Sequence, residues 1–97
     1  MAIIFGSGGT IHRGGKQVAQ VLTWSIEQQG GSPTDWSGSL TATWDGRPEL
    51  GNCTMRLRDN DGNSWTGDVT ITDVPFRVPP DRKVEIGFQG NGPLDRY

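Results

Sequence analysis

The sequence predicts an all-β domain, a mainly antiparallel β-sandwich or partly open β-barrel of about six to seven strands with little or no helix. Three observations predict it. Apolar and polar residues alternate with a period of two through most of the chain, the mark of strands with one buried and one wetted face. Turn formers are dense, with 15 Gly and 6 Pro among 97 residues, and they sit between the alternating runs. No window of a dozen residues combines a 3.6 period with capping residues.

Taken in order, residues 1–9 read as an apolar arm with a glycine-rich hinge, and residues 10–97 as a single β domain. Ile3, Ile4 and Phe5 form a short apolar run that Gly6-Ser7-Gly8-Gly9 interrupts. A short strand follows near residues 10–13, then a tight turn at Gly14-Gly15. In the next strand Val18, Leu22, Trp24 and Ile26 share one parity. In residues 36–45 Trp36, Leu40, Ala42 and Trp44 oppose Ser37, Ser39, Thr41, Thr43 and Asp45. Cys53, Met55 and Leu57 alternate with Thr54, Arg56 and Arg58. Asp59-Asn60-Asp61-Gly62 then supplies a hairpin turn, since Gly takes positive φ at little cost. Trp65, Val69 and Ile71 oppose Thr66, Asp68 and Thr70, and Val84, Ile86 and Phe88 oppose Glu85 and Gln89. Pro79-Pro80 marks a link, because proline cannot donate to a ladder. The expected core is therefore Leu22, Trp24, Ile26, Leu40, Trp44, Met55, Leu57, Trp65, Val69, Ile71, Val84, Ile86 and Phe88.

Composition narrows the function classes. The chain has one Cys, one His and a net charge of −2. That disfavours a disulfide scaffold, a Cys/His zinc module and a general nucleic-acid binder. No apolar run is long enough to span a bilayer as a helix, so no membrane partner is expected. The apolar start lacks a basic flank and a long apolar region, so it reads as no secretory signal, and a cytoplasmic origin is expected. No cofactor and no metal are expected, and no enzyme activity. His12 reads as a solvated strand residue rather than a general base. Cys53 shares parity with Met55 and Leu57 and reads as a small buried hydrophobe rather than a nucleophile. Asp59-Asn60-Asp61-Gly62-Asn63 resembles the start of a calcium loop but lacks the later bidentate Glu, and reads as a polar hairpin tip.

The four Trp residues fall on apolar parities and read first as core. Displayed rings would instead form a sugar-binding platform, and Trp36, at a strand start, is the candidate exception. A carbohydrate-binding sandwich displaying Trp36 or Trp65 is therefore the competing reading.

Several segments, taken in order, carry a family resemblance. They are Ile4-Phe5-Gly6-Ser7-Gly8-Gly9-Thr10, Thr23-Trp24-Ser25, Trp36-Ser37-Gly38-Ser39, Trp65-Thr66-Gly67-Asp68 and the closing Phe88-Gln89-Gly90-Asn91-Gly92-Pro93-Leu94. The series resembles small virion structural proteins of tailed bacteriophages, in particular the tail tube protein family. The resemblance implies identical subunits closing into a ring, with a hexamer as the candidate number, around a lumen that conducts DNA. It also implies contacts with other virion proteins and a location in the virion, assembled in the host cytoplasm. The chain departs from that family in being short, and in carrying Arg47-Pro48-Glu49-Leu50-Gly51 where a longer segment is usual. A head-decoration, connector or tail-adaptor role therefore stays open beside a tube. Ile3, Ile4, Phe5, Leu94 and Tyr97 are the expected oligomer contacts. Asp45, Asp68 and Glu85, on polar parities, are the expected lumen-facing acids.

Overall fold

The computed structural model describes residues 2–28 and 35–96. Its first strand, β1 (Ala2–Arg13), turns at Gly14 and Gly15 into β2 (Lys16–Gln28). Both glycines have positive φ, 61° and 79°, as a two-residue hairpin turn that follows the strand twist requires. β3 (Trp36–Trp44), β4 (Gly51–Asp59), β5 (Ser64–Asp73), β6 (Lys83–Gly90) and the short β7 (Asp95–Arg96) complete the described elements.

Strands β1, β2 and β3 form one antiparallel meander, and β4, β5 and β6 a second. The meanders join twice, through β1 with β4 and β3 with β6, both antiparallel. The result is a closed six-stranded barrel in the order β1-β2-β3-β6-β5-β4, with β7 added beside β5. Closure is what decides between the two architectures the alternation allowed. It removes most sheet edges while keeping one apolar and one polar side on each strand.

The interior is filled by side chains. Ile11, Ala19, Val21, Trp24, Ile26, Trp36, Leu40, Ala42, Trp44, Cys53, Met55, Leu57, Val69, Ile71, Val84, Ile86 and Phe88 are all buried. Among the described residues these side chains leave no open bore, as in a small barrel packed by its inward residues. Trp36 seals one end. Its ring meets Phe88 edge-on, 6.3 Å between centroids. It lies against Gly90, where a Cβ would collide with the indole, and against Gly67, where a Cβ would sit tightly at 3.0 Å from it. Its Nε1 donates to the Gly92 carbonyl oxygen at 2.8 Å.

Three expectations are corrected by this arrangement. The arm and hinge assigned to residues 1–9 are part of β1 from Ala2 onward. The glycine run is a bulge rather than a hinge. Between Gly6↔Asp59 and Gly9↔Leu57, β1 spends three residue steps where β4 spends two. Gly8 and Gly9 take φ of 92° and 145°, values that suit glycine. Leu22 is only half-buried, because β2 bulges between Val21↔Ala42 and Thr23↔Thr41 and leaves Leu22 without a partner on β3. The inward set therefore switches from Ala19 and Val21 to Trp24 and Ile26. Trp65 is half-buried, packed against the core from the barrel end rather than enclosed in it.

Candidate functional site

The residues with chemical potential do not converge. His12 lies opposite Thr54 in the β1–β4 ladder. Its Nε2 is 2.8 Å from Thr10 Oγ1. Thr54 and Cys53 are consecutive on β4, so their side chains leave opposite faces of the wall. His12 is on the outer side with Thr54, and Cys53 is buried inside. Burial pushes the Cys53 thiol up to about 11, against a smaller lowering by Arg13 and a further rise from Asp68. At neutral pH it is a protonated thiol, which is a poor nucleophile.

The Asp59 carboxylate is committed to its own turn. Oδ1 accepts the Asp61 and Asn63 backbone N–H groups at 2.9 and 2.8 Å, and Oδ2 accepts Trp65 Nε1 at 3.0 Å. These hydrogen bonds, that from Trp65 first, hold its carboxyl below the usual aspartate value. The segment is thus a self-satisfied hairpin tip with Gly62 at φ 86°. This local closure, which an Asp-x-x-Gly sequence permits, also fixes where β4 stops.

The Trp platform is not displayed. Trp36, the expected exception, is 2% exposed. Trp24 Nε1 donates to the Arg58 carbonyl oxygen at 3.0 Å. The Trp65 ring is covered by the Arg96 guanidinium, 5.4 Å from its centroid. Arg96 also donates to Asn63 Oδ1.

The expected contact residues divide into three groups. Ile3 and Phe5 are 65% and 60% exposed on the outer face of β1. Ile4 and Leu94 pack against the protein's own core instead, Ile4 because it has inward parity and Leu94 because the C-terminal segment folds back over Gly67. Tyr97 lies outside the described residues. Phe76, 86% exposed in the β5–β6 connection, and the exposed Leu50 were not foreseen. Neither belongs to an alternating run, so no periodic signal marks them.

The three expected lumen acids are all exposed. Asp68 accepts Thr54 Oγ1 at 2.7 Å on the β4–β5 wall. Glu85 faces Thr41 across the β3–β6 ladder. Asp45 follows β3 at the barrel end, where its N–H bonds to the Val18 carbonyl oxygen at 2.9 Å. A shallow hollow of about 350 Å³ lies there, between Gln17, Gln20, Thr43, Asp45 and Arg82.

What the topology does assemble is an outer wall of hydroxyls and amides. Across β2 and β3, Gln20 pairs with Thr43, Thr23 with Thr41, Ser25 with Ser39 and Glu27 with Ser37. The wall continues through Gln89, opposite Ser37, and Thr70, opposite Gln89. There Thr70 Oγ1 lies 2.9 Å from Asn52 Oδ1 and 2.8 Å from Asn91 Oδ1. Ile3 and Phe5 border this wall on β1, opposite Glu27 and Ser25. The alternation marks the polar faces of β3 and β6 and of β2 beyond Leu22, but Gln20 has the parity read as apolar, and the alignment of the faces depends on pairing that no local pattern encodes. Compared with family models, curated proteins and solved structures, the chain matches none.

Proposed function

We propose that this chain is a structural subunit of a bacteriophage virion, a tail tube-like protein that self-assembles into rings around a DNA-conducting lumen. The observation that carries the reading is the outer surface of the barrel. A wall of Ser, Thr and Gln with one acid, Glu27, spans β2 and β3, and two large apolar side chains, Ile3 and Phe5, stand exposed at its border. A hydroxyl wall suits a water-filled passage that must not hold a polyanion, and exposed apolar groups at its rim suit contact between copies. The order of β segments that resembles the tail tube family supports the same reading. Its location is then the virion, and its partners are identical subunits and other virion proteins.

The short β3–β4 connection bears on which virion component is meant. Arg13 Nη2 donates to the Glu49 carbonyl oxygen at 3.0 Å, and its Nη1 lies 3.6 Å from Glu49 Oε2. The connection is therefore tied to the subunit's own β1, which leaves it less free to reach a neighbouring ring. A head-decoration, connector or adaptor subunit with a single ring is therefore the alternative beside a stacked tube. Negative-stain imaging of the purified protein tests the proposal. Rings or stacked rings are expected, and a monodisperse monomer at every concentration would overturn it.

A further inference from the structure

We propose that the unpaired edge of β1 at residues 2–5 docks against the same edge of a second copy of this chain. This deepens the self-assembly reading and rests on it, by naming the contact.

The barrel is closed, yet β1 is longer than the wall beside it. Residues 2–5 pair with β2 through Ala2↔Gln28, Ile3↔Glu27, Ile4↔Ile26 and Phe5↔Ser25. Pairing with β4 begins only at Gly6↔Asp59. Among the described residues, no strand and no backbone hydrogen bond outside the ladders reaches the other side of residues 2–5. Backbone N–H and C=O groups on such an edge are a template for a further strand. Natural edges are usually blunted by Lys, Pro or a bulge. This one carries none of them within residues 2–5, and instead shows Ile3 and Phe5 to solvent. A groove of about 220 Å³ lies alongside, between Ile3, Ile4 and Phe5 on one flank and Asp59, Asn60 and Asp61 on the other.

The occupant follows from the residue pattern. In an antiparallel pair, residues directly opposite must share a face, so the centre of a self-pairing falls on a residue. Centring on Ile4 places Ile3 of each copy opposite Phe5 of the other, and Ile4 opposite Ile4. Both exposed apolar side chains then meet an apolar partner on the outer face, an aromatic against a β-branched residue, which is a favoured cross-strand pair. Centring on Phe5 would set Ile3 against Ser7, whose stretch of edge is already occupied by β4. Centring on Ile3 would set Ile3 against itself and Phe5 opposite residue 1, outside the described residues, so the two exposed apolar side chains would not meet each other. The segment is thus complementary to itself in one register. The contact is isologous, so it joins copies in pairs, and a ring needs an additional heterologous surface. Three residue pairs bury far less than the roughly 1,200 Å² of a standard interface, so the pairing is weak alone and concentration-dependent.

The full chain is followed by sedimentation velocity across the micromolar range, beside Phe5→Lys and Ile3→Lys. Both positions are exposed, and unchanged thermal melts verify the barrel. Monomer–dimer exchange is expected in the parent, with its midpoint moved about tenfold or more to higher concentration in either variant. Register is read by mixing Ile3→Cys with Phe5→Cys under diamide, with the parent, which carries the buried Cys53, as control. Mixed Ile3→Cys/Phe5→Cys dimers must exceed both like-with-like dimers. Equal yields, or an exchange that Phe5→Lys leaves unchanged, overturn the edge contact. Rings that persist in Phe5→Lys with the exchange midpoint unchanged overturn the edge contact while the assembly reading stands, whereas rings that persist with the exchange weakened uphold the edge beside a separate ring surface. Register-specific dimers without rings or tubes uphold the edge and sink the ring reading. A parent that stays monomeric throughout overturns both.

Discussion

Replacing Gly90 by Ala tests how the barrel end is sealed. A Cβ at Gly90 would fall within 2.6 Å of Nε1 and Cδ2 of the Trp36 indole. The indole has little room to retreat, because Phe88 stands edge-on at 6.3 Å and Gly67 lies beneath. Overpacking a filled core by one methyl costs about 1–3 kcal/mol. Gly→Ala also restricts the unfolded chain, which returns about 0.4–1 kcal/mol. The net expectation is a loss of up to about 2.6 kcal/mol. The clash has one partner, so it should vanish when the partner shrinks. In a Trp36→Leu background the same Gly90→Ala change should be neutral or slightly stabilising, a coupling of about 1–3 kcal/mol between the sites. Urea unfolding followed by the fluorescence of the remaining Trp residues measures all four corners of the cycle. Equal costs for Gly90→Ala in both backgrounds would refute the reasoning, because they would locate the strain in the backbone and not in the indole.

The remaining predictions use the same measurements. Leu22→Ala should cost less than about 1 kcal/mol, since Leu22 sits half-exposed at the β2 bulge, whereas Leu57→Ala should cost about 2–5 kcal/mol. The Asp59 carboxyl is held below its ordinary value by Trp65, Asn63 and Asp61, so its contribution is present above about pH 4 and fades as pH falls through the lowered folded-state value. Thermal melts in Asp59→Asn should show a shallower loss of stability in that acid window. For Cys53 the thiol is raised from 9.0 to about 11, so the folded state holds its proton longer and stability declines as pH climbs from about 9 towards 11. A disulfide reagent at pH 8 should modify Cys53 slowly in the native protein and rapidly in urea. Ile4→Ala should destabilise the barrel by about 1–2 kcal/mol, at the low end for a half-buried isoleucine, while Ile3→Thr and Phe5→Thr leave its melting unchanged.

The legible parts of this fold are the strands that run without interruption. In β3, β4, β5 and β6 the parity read from the sequence is the parity that points inward, from Leu40 and Trp44 through Met55 and Leu57 to Ile86 and Phe88. In β2 the rule fails at Val18 and Leu22, and for one reason. Each stands at a register shift where β2 carries an extra residue, against β1 and β3 respectively, and a period-two pattern has no means of announcing a shift of phase. Gly6-Ser7-Gly8-Gly9 misleads in a related way. Glycines that permit positive φ suit a hinge and a bulge equally, and the choice is made by Arg56 and Leu57 on a strand some fifty residues away, as their backbone comes up against Gly9. Trp36 is the clearest case of burial decided at a distance. Its environment consists of Gly67, Phe88, Gly90 and the Gly92 carbonyl, none of them near it in sequence. The alignment of Ser and Thr into one wall is likewise a property of pairing, so the polar faces away from the β2 bulges are readable while the surface they compose is not.

The Asp59 turn links stability to the proposed edge contact in a way neither feature shows alone. A closed barrel hides its ladders, so copies of it ordinarily meet through side chains only. Here a backbone edge survives because β4 ends at Asp59 while β1 continues past it for residues 2–5. The end of β4 is set by chemistry, since one carboxylate accepting from Asp61, Asn63 and Trp65 folds the chain back at that position. The bulge at Gly8 adds the extra β1 residue that lets Gly6 still meet Asp59. Tightening the hairpin and exposing the edge are therefore one act of the same residue. A longer β4–β5 hairpin, four residues inserted on each side of the turn, would extend β4 alongside residues 2–5 and supply the partner from within. Such a variant should gain ladder hydrogen bonds and lose concentration-dependent pairing together. A variant that gained the first and kept the second would place the contact elsewhere on the barrel.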